Sequence, residues 1–132
     1  MSAFTKQLLP NKMHKCIISL AANCNHKKNL SEARRCLGQI LSHIVYTKEL
    51  WTEPIHAKRP DMYLNQLAYA HTELNTEQLV AKLKEIELYM GRNETERSAG
   101  VVCIDLDLLQ FDETRHHLRD WERDYVRQLL LK

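Results

Sequence analysis

The sequence predicts one α+β domain, in which elements in the order β-α-β-β-α-β are followed by an additional C-terminal helix. Short β-favouring apolar runs alternate with stretches whose apolar residues recur at three- and four-residue steps, the periods of strands and helices. No linker, repeat or low-complexity segment divides the 132 residues, so residues 1–132 are expected to form a single domain. This order is typical of the ferredoxin-like, split β-α-β arrangement, an antiparallel sheet with its helices on one side.

The composition excludes several classes of protein. Three glycines and three prolines are too few for a disordered chain, collagen or a turn-dense β-sandwich. The 19 Lys and Arg against 17 Asp and Glu leave a net charge of +2, which is too balanced for a globally basic nucleic-acid binder. No apolar run approaches the roughly 18 residues of a membrane span, and the N-terminal residues have no long apolar region of the secretory type. We therefore expect a cytoplasmic, soluble protein with reduced cysteines and with no nucleic-acid or membrane partner.

Three elements are predicted in the first part of the chain. Residues 16–22 form a β-favouring apolar run that polar residues end. Asn29 and Glu32 have the spacing of a capping box, and apolar residues then recur at helical steps as far as Ile44, which predicts an amphipathic helix. Residues 45–52 are rich in β-branched and aromatic residues and predict a second strand.

The second part of the chain predicts two further strands and two helices. A proline-containing loop over residues 53–60 precedes a strand over residues 62–72. Asn75 is placed to cap the next helix, and Gly91 stands where a residue in the left-handed conformation would end it. The remaining elements are a polar loop, a strand and the C-terminal helix, over residues 92–100, 101–109 and 119–132.

Asp105 and Asp107 are the most specific local feature. In a strand, residues two apart face the same side and stand roughly 6.5–7 Å apart. Two carboxylates so placed repel each other, and a shared cation would keep both ionised. Mg²⁺ fits such a site because it keeps several waters and takes its other ligands from phosphate oxygens. The alternative is an exposed strand face with two solvated acids.

Two other stretches carry side chains suited to a heterocycle and to phosphate. Thr52 and Pro54 precede a strand with Tyr63 and Asn65 on one face, where a ring can stack and an amide can bind ring nitrogens or carbonyls. Arg92 follows a helix end, where arginine binds phosphate in a bidentate manner or interacts with the helix dipole. A strand with a packed tyrosine and an ordinary last-turn cation are the alternatives. If the three stretches form one site, the two acids face a cleft shared with Asn65 or Tyr63.

Taken together and in order, these stretches resemble the 6-hydroxymethyl-7,8-dihydropterin pyrophosphokinases of folate biosynthesis. The likeness runs from about Cys16 to Leu131, nearly the whole chain. The motifs that carry it are Ile18-Ser19-Leu20-Ala21-Ala22-Asn23, Thr52-Glu53-Pro54-Ile55, Tyr63-Leu64-Asn65, Ile86-Glu87 with Gly91-Arg92, and Ile104-Asp105-Leu106-Asp107-Leu108. The last motif is the most specific, because it follows Gly91-Arg92 at the spacing of the family.

The resemblance implies a fold, a reaction and a set of site residues. The fold is an α-β-α sandwich with a ferredoxin-like core, and the reaction is transfer of pyrophosphate from ATP to the hydroxymethyl oxygen of the pterin. Asp105 and Asp107 would hold two Mg²⁺ ions, and Arg92 and Asp107 would act in catalysis. The pterin would lie near Thr52, Pro54, Tyr63 and Asn65, and Glu87, Arg92 and Arg127 would line the nucleotide side.

Several positions depart from the pattern of the family. Its glycine after the first strand falls at Ala21, its stacking tryptophan at Ala99, and two phosphate-facing arginines at Val102 and Glu94. Loss of two such arginines costs several kcal/mol of transition-state stabilisation. The alternatives are therefore a working pyrophosphokinase, a homologue that binds pterin, nucleotide or metal with weak or no transferase activity, and a ferredoxin-like interaction module. In the first of these, the missing cations would be supplied by Arg97, Arg115, Arg119 or Arg123.

Overall fold

The computed structural model describes residues 13–54 and 59–130, which form one antiparallel sheet with helices on both of its faces. The strands are β1 (His14–Ala22), β2 (Ser42–Tyr46), β3 (Leu50–Thr52), β4 (Tyr63–Thr72), β5 (Asp105–Phe111) and β6 (Thr114–Arg115). The helices are α1 (His26–Leu37), α2 (Thr76–Tyr89), α3 (Glu94–Ser98) and α4 (Asp124–Leu129), with a 3₁₀ turn at Asp120–Glu122. The sheet order is β2-β4-β1-β5-β6, and β3 pairs with β4 beside β2. The predicted α+β class and the ferredoxin-like order of the core strands are confirmed.

The sheet separates two apolar layers. One face carries the main core, where α1 and α2 pack on β1, β4 and β5 through Leu30, Leu37, Leu79, Leu83, Ile18, Leu20, Leu64 and Leu106. On the other face, Leu67 and Leu109 are buried beneath Val126 and Leu129 of α4. The expectation that all helices lie on one side is therefore wrong. The apolar side chains of α4 cover a second apolar patch on the other face of the sheet, which gives the α-β-α sandwich that the resemblance implies.

The signals for α2 are confirmed, whereas the cap expected for α1 is wrong. Asn75 Oδ1 accepts from the backbone N–H of Gln78 at 2.9 Å and Gln78 Oε1 accepts from the N–H of Asn75 at 2.9 Å, a complete capping box. Gly91, with φ of +97°, follows the end of α2. The other helix begins at His26 rather than after Asn29, because the chain already turns at Asn25, whose φ is +42°. Asn29 lies inside α1.

The second predicted strand, residues 45–52, is interrupted into β2 and β3. The break is at Thr47, which is buried and whose backbone N–H donates to the oxygen of Leu67 at 2.9 Å. Its hydroxyl oxygen accepts from the N–H of Leu67 at 3.0 Å, so a side chain occupies a place in the ladder. Gln66 Nε2 donates to the carbonyl of Thr47 at 2.8 Å and fixes the chain at this break.

Three other boundaries differ from the sequence predictions. The predicted polar loop over residues 92–100 contains α3, because Asn93 Oδ1 accepts from the N–H of Glu96 at 2.8 Å and caps a turn of helix. The predicted strand over residues 101–109 enters the sheet only at Asp105, since Asn23 binds the backbone of Val102 instead. The predicted C-terminal helix is broken at Arg123, which is extended, and residues 131–132 lie outside the described residues, as does Ile55.

The cysteines and the helices agree with the compositional expectations that they test. Cys16 and Cys103 are buried, as predicted, and all four cysteines are free thiols. In the part of the chain that the structure describes, no helix is both long and apolar enough to cross a membrane.

Candidate active site

Asp105 and Asp107 of β5 lie on one face of the sheet, and Asn65 of β4 lies on the same face. Asp105 is paired with Ala21 of β1, which is paired on its other side with Asn65 of β4. Directly paired residues of an antiparallel sheet share a face, so these three side chains form a row across the sheet. Asn65 and Asp105 are two strands apart, roughly 10 Å at the usual strand spacing. The acids and the amide therefore look onto the same side.

A hydrogen-bonded cluster holds Asp105 at the start of β5. Arg92 Nη1 donates to Asp105 Oδ1 and to Glu87 Oε2, each at 2.9 Å. The backbone N–H of Leu106 donates to the same oxygen of Glu87 at 2.8 Å. The end of α2 thus supplies a carboxylate and the residue after Gly91 supplies a cation, and together they fix one of the two paired acids.

The site carries an excess of negative charge. Burial and the neighbouring Asp105 raise the pKa of Asp107 from 3.8 to about 7, against the opposing effect of His117. His117 Nε2 lies 3.9 Å from Asp107 Oδ1. Burial also raises the pKa of Glu87, and the hydrogen bond that Glu87 accepts from the backbone N–H of Leu106 opposes this shift. Both shifts come first from burial, and the charge of Asp105 adds to each of them.

The donor set fits a hard divalent cation that is bound partly by its substrate. A cation between Asp105 and Asp107 would relieve the repulsion by Asp105 that, after burial, raises the pKa of Asp107. Among the described residues there is no group of three or more His, Cys, Asp or Glu side chains that could enclose a metal. Two carboxylates without a third protein ligand suit Mg²⁺, which completes its shell with water and phosphate oxygens.

The residues expected to bind the pterin lie near the start of β4. Asn65 Nδ2 donates to Thr52 Oγ1 at 2.7 Å and to the backbone oxygen of Leu50 at 3.1 Å, which fixes the orientation of this buried amide. Burial and the charge of Asp105 raise the pKa of Tyr63, so its phenol lies within the electrostatic influence of Asp105. Pro54 is half-buried just beyond β3.

A cavity of about 590 Å³ lies between α2, the segment with α3, and β5. This volume is in the range of small-molecule sites. Its apolar wall includes Val80, Leu83 and Leu88 of α2 and Leu108 of β5. Its polar wall includes Lys84, Glu87, Arg92, Arg97, Asp105, Asp107 and His117.

The structure brings most of the expected nucleotide-side residues to this cavity and adds others. Arg127 is exposed on α4 and is not among the described residues that line it. Lys84 and His117 line it but were not assigned to the site from sequence, and Arg97, one of the four arginines considered for the missing cations, lines it as well. A signal existed for Lys84, which lies on the same helical face as Glu87, three residues away. His117 gave none, because its φ of +52° and its distance from Asp107 depend on the fold.

The fold and the site together define an α+β protein with a small-molecule cavity beside a pair of acids that can accept a cation. The model of the family described as 7,8-dihydro-6-hydroxymethylpterin-pyrophosphokinase matches residues 17–132. A folate synthesis bifunctional protein of Arabidopsis thaliana is 31% identical over 120 residues, which cover 83% of this chain and 25% of that protein. The mitochondrial folate synthesis bifunctional protein of Pisum sativum is 32% identical over 120 residues, which cover 83% of this chain and 23% of that protein.

The chain belongs to the 7,8-dihydro-6-hydroxymethylpterin-pyrophosphokinase family. Members of this family are transferases of folate synthesis that take pyrophosphate from ATP, generally with Mg²⁺, and that bind a pterin. The chain spans about a quarter of the length of the curated relatives that it matches.

Proposed function

We propose that the chain transfers pyrophosphate from ATP to 6-hydroxymethyl-7,8-dihydropterin, with two Mg²⁺ ions bound at Asp105 and Asp107. The observation that carries the proposal is the row across β4, β1 and β5, in which the acids share a face with Asn65. A pterin at Asn65 and a triphosphate at the acids would lie side by side, separated by a small residue, Ala21. The hydroxymethyl group would then point from one substrate toward the other.

The pterin-binding half of the proposal rests on the fixed amide of Asn65. An amide whose nitrogen is held by Thr52 and by a backbone oxygen presents its carbonyl oxygen in one direction, which suits recognition of ring N–H groups. Tyr63 lies in the same part of the face and offers an aromatic surface. Pro54 follows β3, and its ring fixes its own φ angle.

The nucleotide-binding half of the proposal rests on the two walls of the cavity. The apolar wall on α2 suits a nucleobase, because flat rings bury apolar area against Val80 and Leu88. The polar wall, with Arg92 and the two acids, suits a phosphate chain with its metal ions. Arg127 enters the proposal through the resemblance alone.

The proposed reaction needs positioning and charge neutralisation more than acid–base chemistry. The hydroxymethyl oxygen forms a bond to the β-phosphorus while the bond from that phosphorus to the α,β-bridging oxygen breaks. AMP leaves with the bridging oxygen and its electron pair, and the hydroxyl proton passes to solvent. Bound Mg²⁺ would supply charge neutralisation at the phosphates. Arg92 keeps Asp105 oriented through its 2.9 Å hydrogen bond.

The test is formation of AMP and of the pterin pyrophosphate from ATP, the hydroxymethylpterin and Mg²⁺, followed by chromatography. We expect turnover by the wild type and at least a hundredfold loss in Asp105→Asn, since it removes a metal ligand. Glu113→Gln is the matched control, because it removes an exposed carboxylate from the turn after the same strand. Unchanged circular dichroism would show that both variants fold. Absence of turnover in the wild type, or full turnover in Asp105→Asn, would contradict the proposal.

A second candidate is a homologue that binds the same ligands but transfers pyrophosphate weakly or not at all. The observation in its favour is the segment between Arg92 and Asp105, in which Arg97 is the single arginine and Glu94, Ala99 and Val102 replace residues of the family pattern. Calorimetry with Mg²⁺ and α,β-methylene-ATP, with and without the hydroxymethylpterin, separates the candidates. Tight binding without AMP formation would favour the second.

A further inference from the structure

The segment that carries α3 is fixed at both ends beside the cavity. At its start, Arg92 is bound to Glu87 and Asp105 at 2.9 Å each. At its end, Asn23 Nδ2 donates to the oxygen of Gly100 at 2.7 Å, and Asn23 Oδ1 accepts from the N–H of Val102 at 2.7 Å. Because Asn23 is buried, this clamp belongs to the body of the domain. The position of α3 along the cavity is therefore set by side chains outside it.

Of the two arginines that line the cavity among the described residues, the one on α3 is the less committed to a carboxylate by geometry. Arg92 already bridges two acids. Arg97 is paired with Glu94 at 3.9 Å, and these side chains are 63% and 87% exposed, respectively. Exposed ion pairs of this kind contribute between about 0 and 1 kcal/mol, so the guanidinium can exchange this partner for a stronger one.

The other arginines that could supply a missing cation are placed differently. Arg115 lies over the ring of Trp121, with its guanidinium carbon 4.0 Å from the ring centroid. Arg123 pairs with Asp120 at 3.3 Å. Neither these two nor Arg119 lines the cavity among the described residues, whereas Arg97 does.

We propose that Arg97 binds the phosphate chain of ATP. Its guanidinium gives up the ion pair with Glu94 and forms charge-assisted hydrogen bonds to phosphate oxygens. This inference rests on the proposed function and names a residue for the same site. Guanidinium is suited to the role because its planar fork matches two phosphate oxygens at once. The cavity favours such an exchange, because four carboxylates line it, those of Glu87, Glu94, Asp105 and Asp107, and a bound nucleotide adds further negative charge that attracts the guanidinium.

The competing interpretation is that Arg97 serves only α3. A cation in the last turn of a helix interacts with the helix dipole and with a carboxylate three residues earlier. In that case the nucleotide would bind equally well without the guanidinium.

The experiment measures binding of α,β-methylene-ATP with Mg²⁺ by calorimetry to the full chain and its variants. We expect Arg97→Ala and Arg97→Gln to weaken binding by ten- to a hundredfold, the usual effect of losing a charged hydrogen bond. Arg97→Lys should lose less, because it keeps the charge without the fork. Adenosine, which lacks phosphate, should bind all of these proteins equally. Arg35→Ala is the matched control, since it removes an exposed arginine from an i,i+3 pair with Glu32 on another helix.

Each outcome decides between the interpretations. If Arg97→Ala and Arg97→Gln bind the analogue as tightly as Arg35→Ala while the wild type makes AMP, the inference about Arg97 is wrong and the proposed function stands. If the wild type binds neither the analogue nor adenosine, the proposed function fails and this inference fails with it. Equal losses for adenosine and the analogue would show that Arg97 shapes the cavity rather than binding phosphate, and would also overturn the inference.

Discussion

Replacement of Asp107 by asparagine should stabilise the protein without metal while it removes the response to Mg²⁺. Asp107 has a pKa of about 7 in the folded chain, against 3.8 for an unperturbed aspartate, because burial and Asp105 disfavour its charge. Below pH 3.8 the carboxyl is protonated in both states and makes no difference to stability. As the pH rises to 7, the unfolded chain releases the proton and the folded chain keeps it, so the free energy of unfolding falls. Above pH 7 the loss is constant.

The size of the effect follows from the difference between 7 and 3.8, which is about 3.2 units or roughly 4 kcal/mol at 1.36 kcal/mol per unit. The side chain is 30% exposed and the shift is partly shared with Asp105, so we expect about half of this limit, about 2 kcal/mol. The asparagine side chain cannot ionise, so the Asp107→Asn variant should match the wild type near pH 4 and exceed it at pH 8. For a chain of this length, 2 kcal/mol corresponds to roughly 6–10 °C in Tm.

The assay is urea and thermal unfolding of wild type and Asp107→Asn between pH 4 and pH 8.5, in EDTA and then in Mg²⁺. The wild type should gain stability from Mg²⁺ at pH 8 and the variant should not, because binding to the folded state alone stabilises it. A variant that is less stable than the wild type at pH 8 in EDTA would refute the electrostatic argument. So would a stability difference that does not change with pH.

Three further outcomes are expected. Asn23→Ala should lower the free energy of unfolding by about 2–3 kcal/mol, because a buried side chain loses its bonds to the segment before β5, as urea titration would show. Leu129→Ala should cost about 2–4 kcal/mol by opening the layer under α4, whereas Leu88→Ala, at a side chain 71% exposed, should change stability by less than about 0.5 kcal/mol. At pH 8 the native protein should react with iodoacetamide at Cys24 before Cys16, since burial raises the pKa of Cys16 to about 11. Mass spectrometry would follow the modification, and reaction of Cys16 at the rate of a free thiol would contradict this expectation.

The cap of α2, which depends on neighbours in the sequence, was predicted correctly, whereas several features that depend on distant partners were not. The capping box of Asn75 is local, and its two bonds join residues three apart. The break at Thr47 arises from bonds to Leu67, twenty residues away, so no strand propensity could reveal it. The side of the sheet that α4 covers could not be predicted from its apolar periodicity for the same reason, and only the resemblance implied a second helical layer.

The candidate site divides in the same way. The alternation of a strand was enough to put Asp105 and Asp107 on one face, and the pairing of β1 with both neighbours then added Asn65 to that face. His117 could not be assigned and Arg97 could not be chosen from the four candidate arginines, because the cavity that they line is formed by α2, α3 and β5 together. The order of residue types along the chain is enough to identify a family. The cations that line a cavity can be assigned only once the fold has brought the elements around it together.

The two arginines of the segment between α2 and β5 differ in what their presence implies. Arg92 is needed by the fold itself, since Glu87 is largely buried and the guanidinium neutralises it beside the N–H of Leu106. Removing one partner of such a pair leaves a charge without compensation, so a chain without transferase activity would still keep Arg92. Arg97 has no such structural task, because its pair with Glu94 is exposed and long. Ligand binding, and not stability, is therefore what the Arg97 variants measure, and their effect on nucleotide affinity bears more directly on function than the presence of Arg92 does.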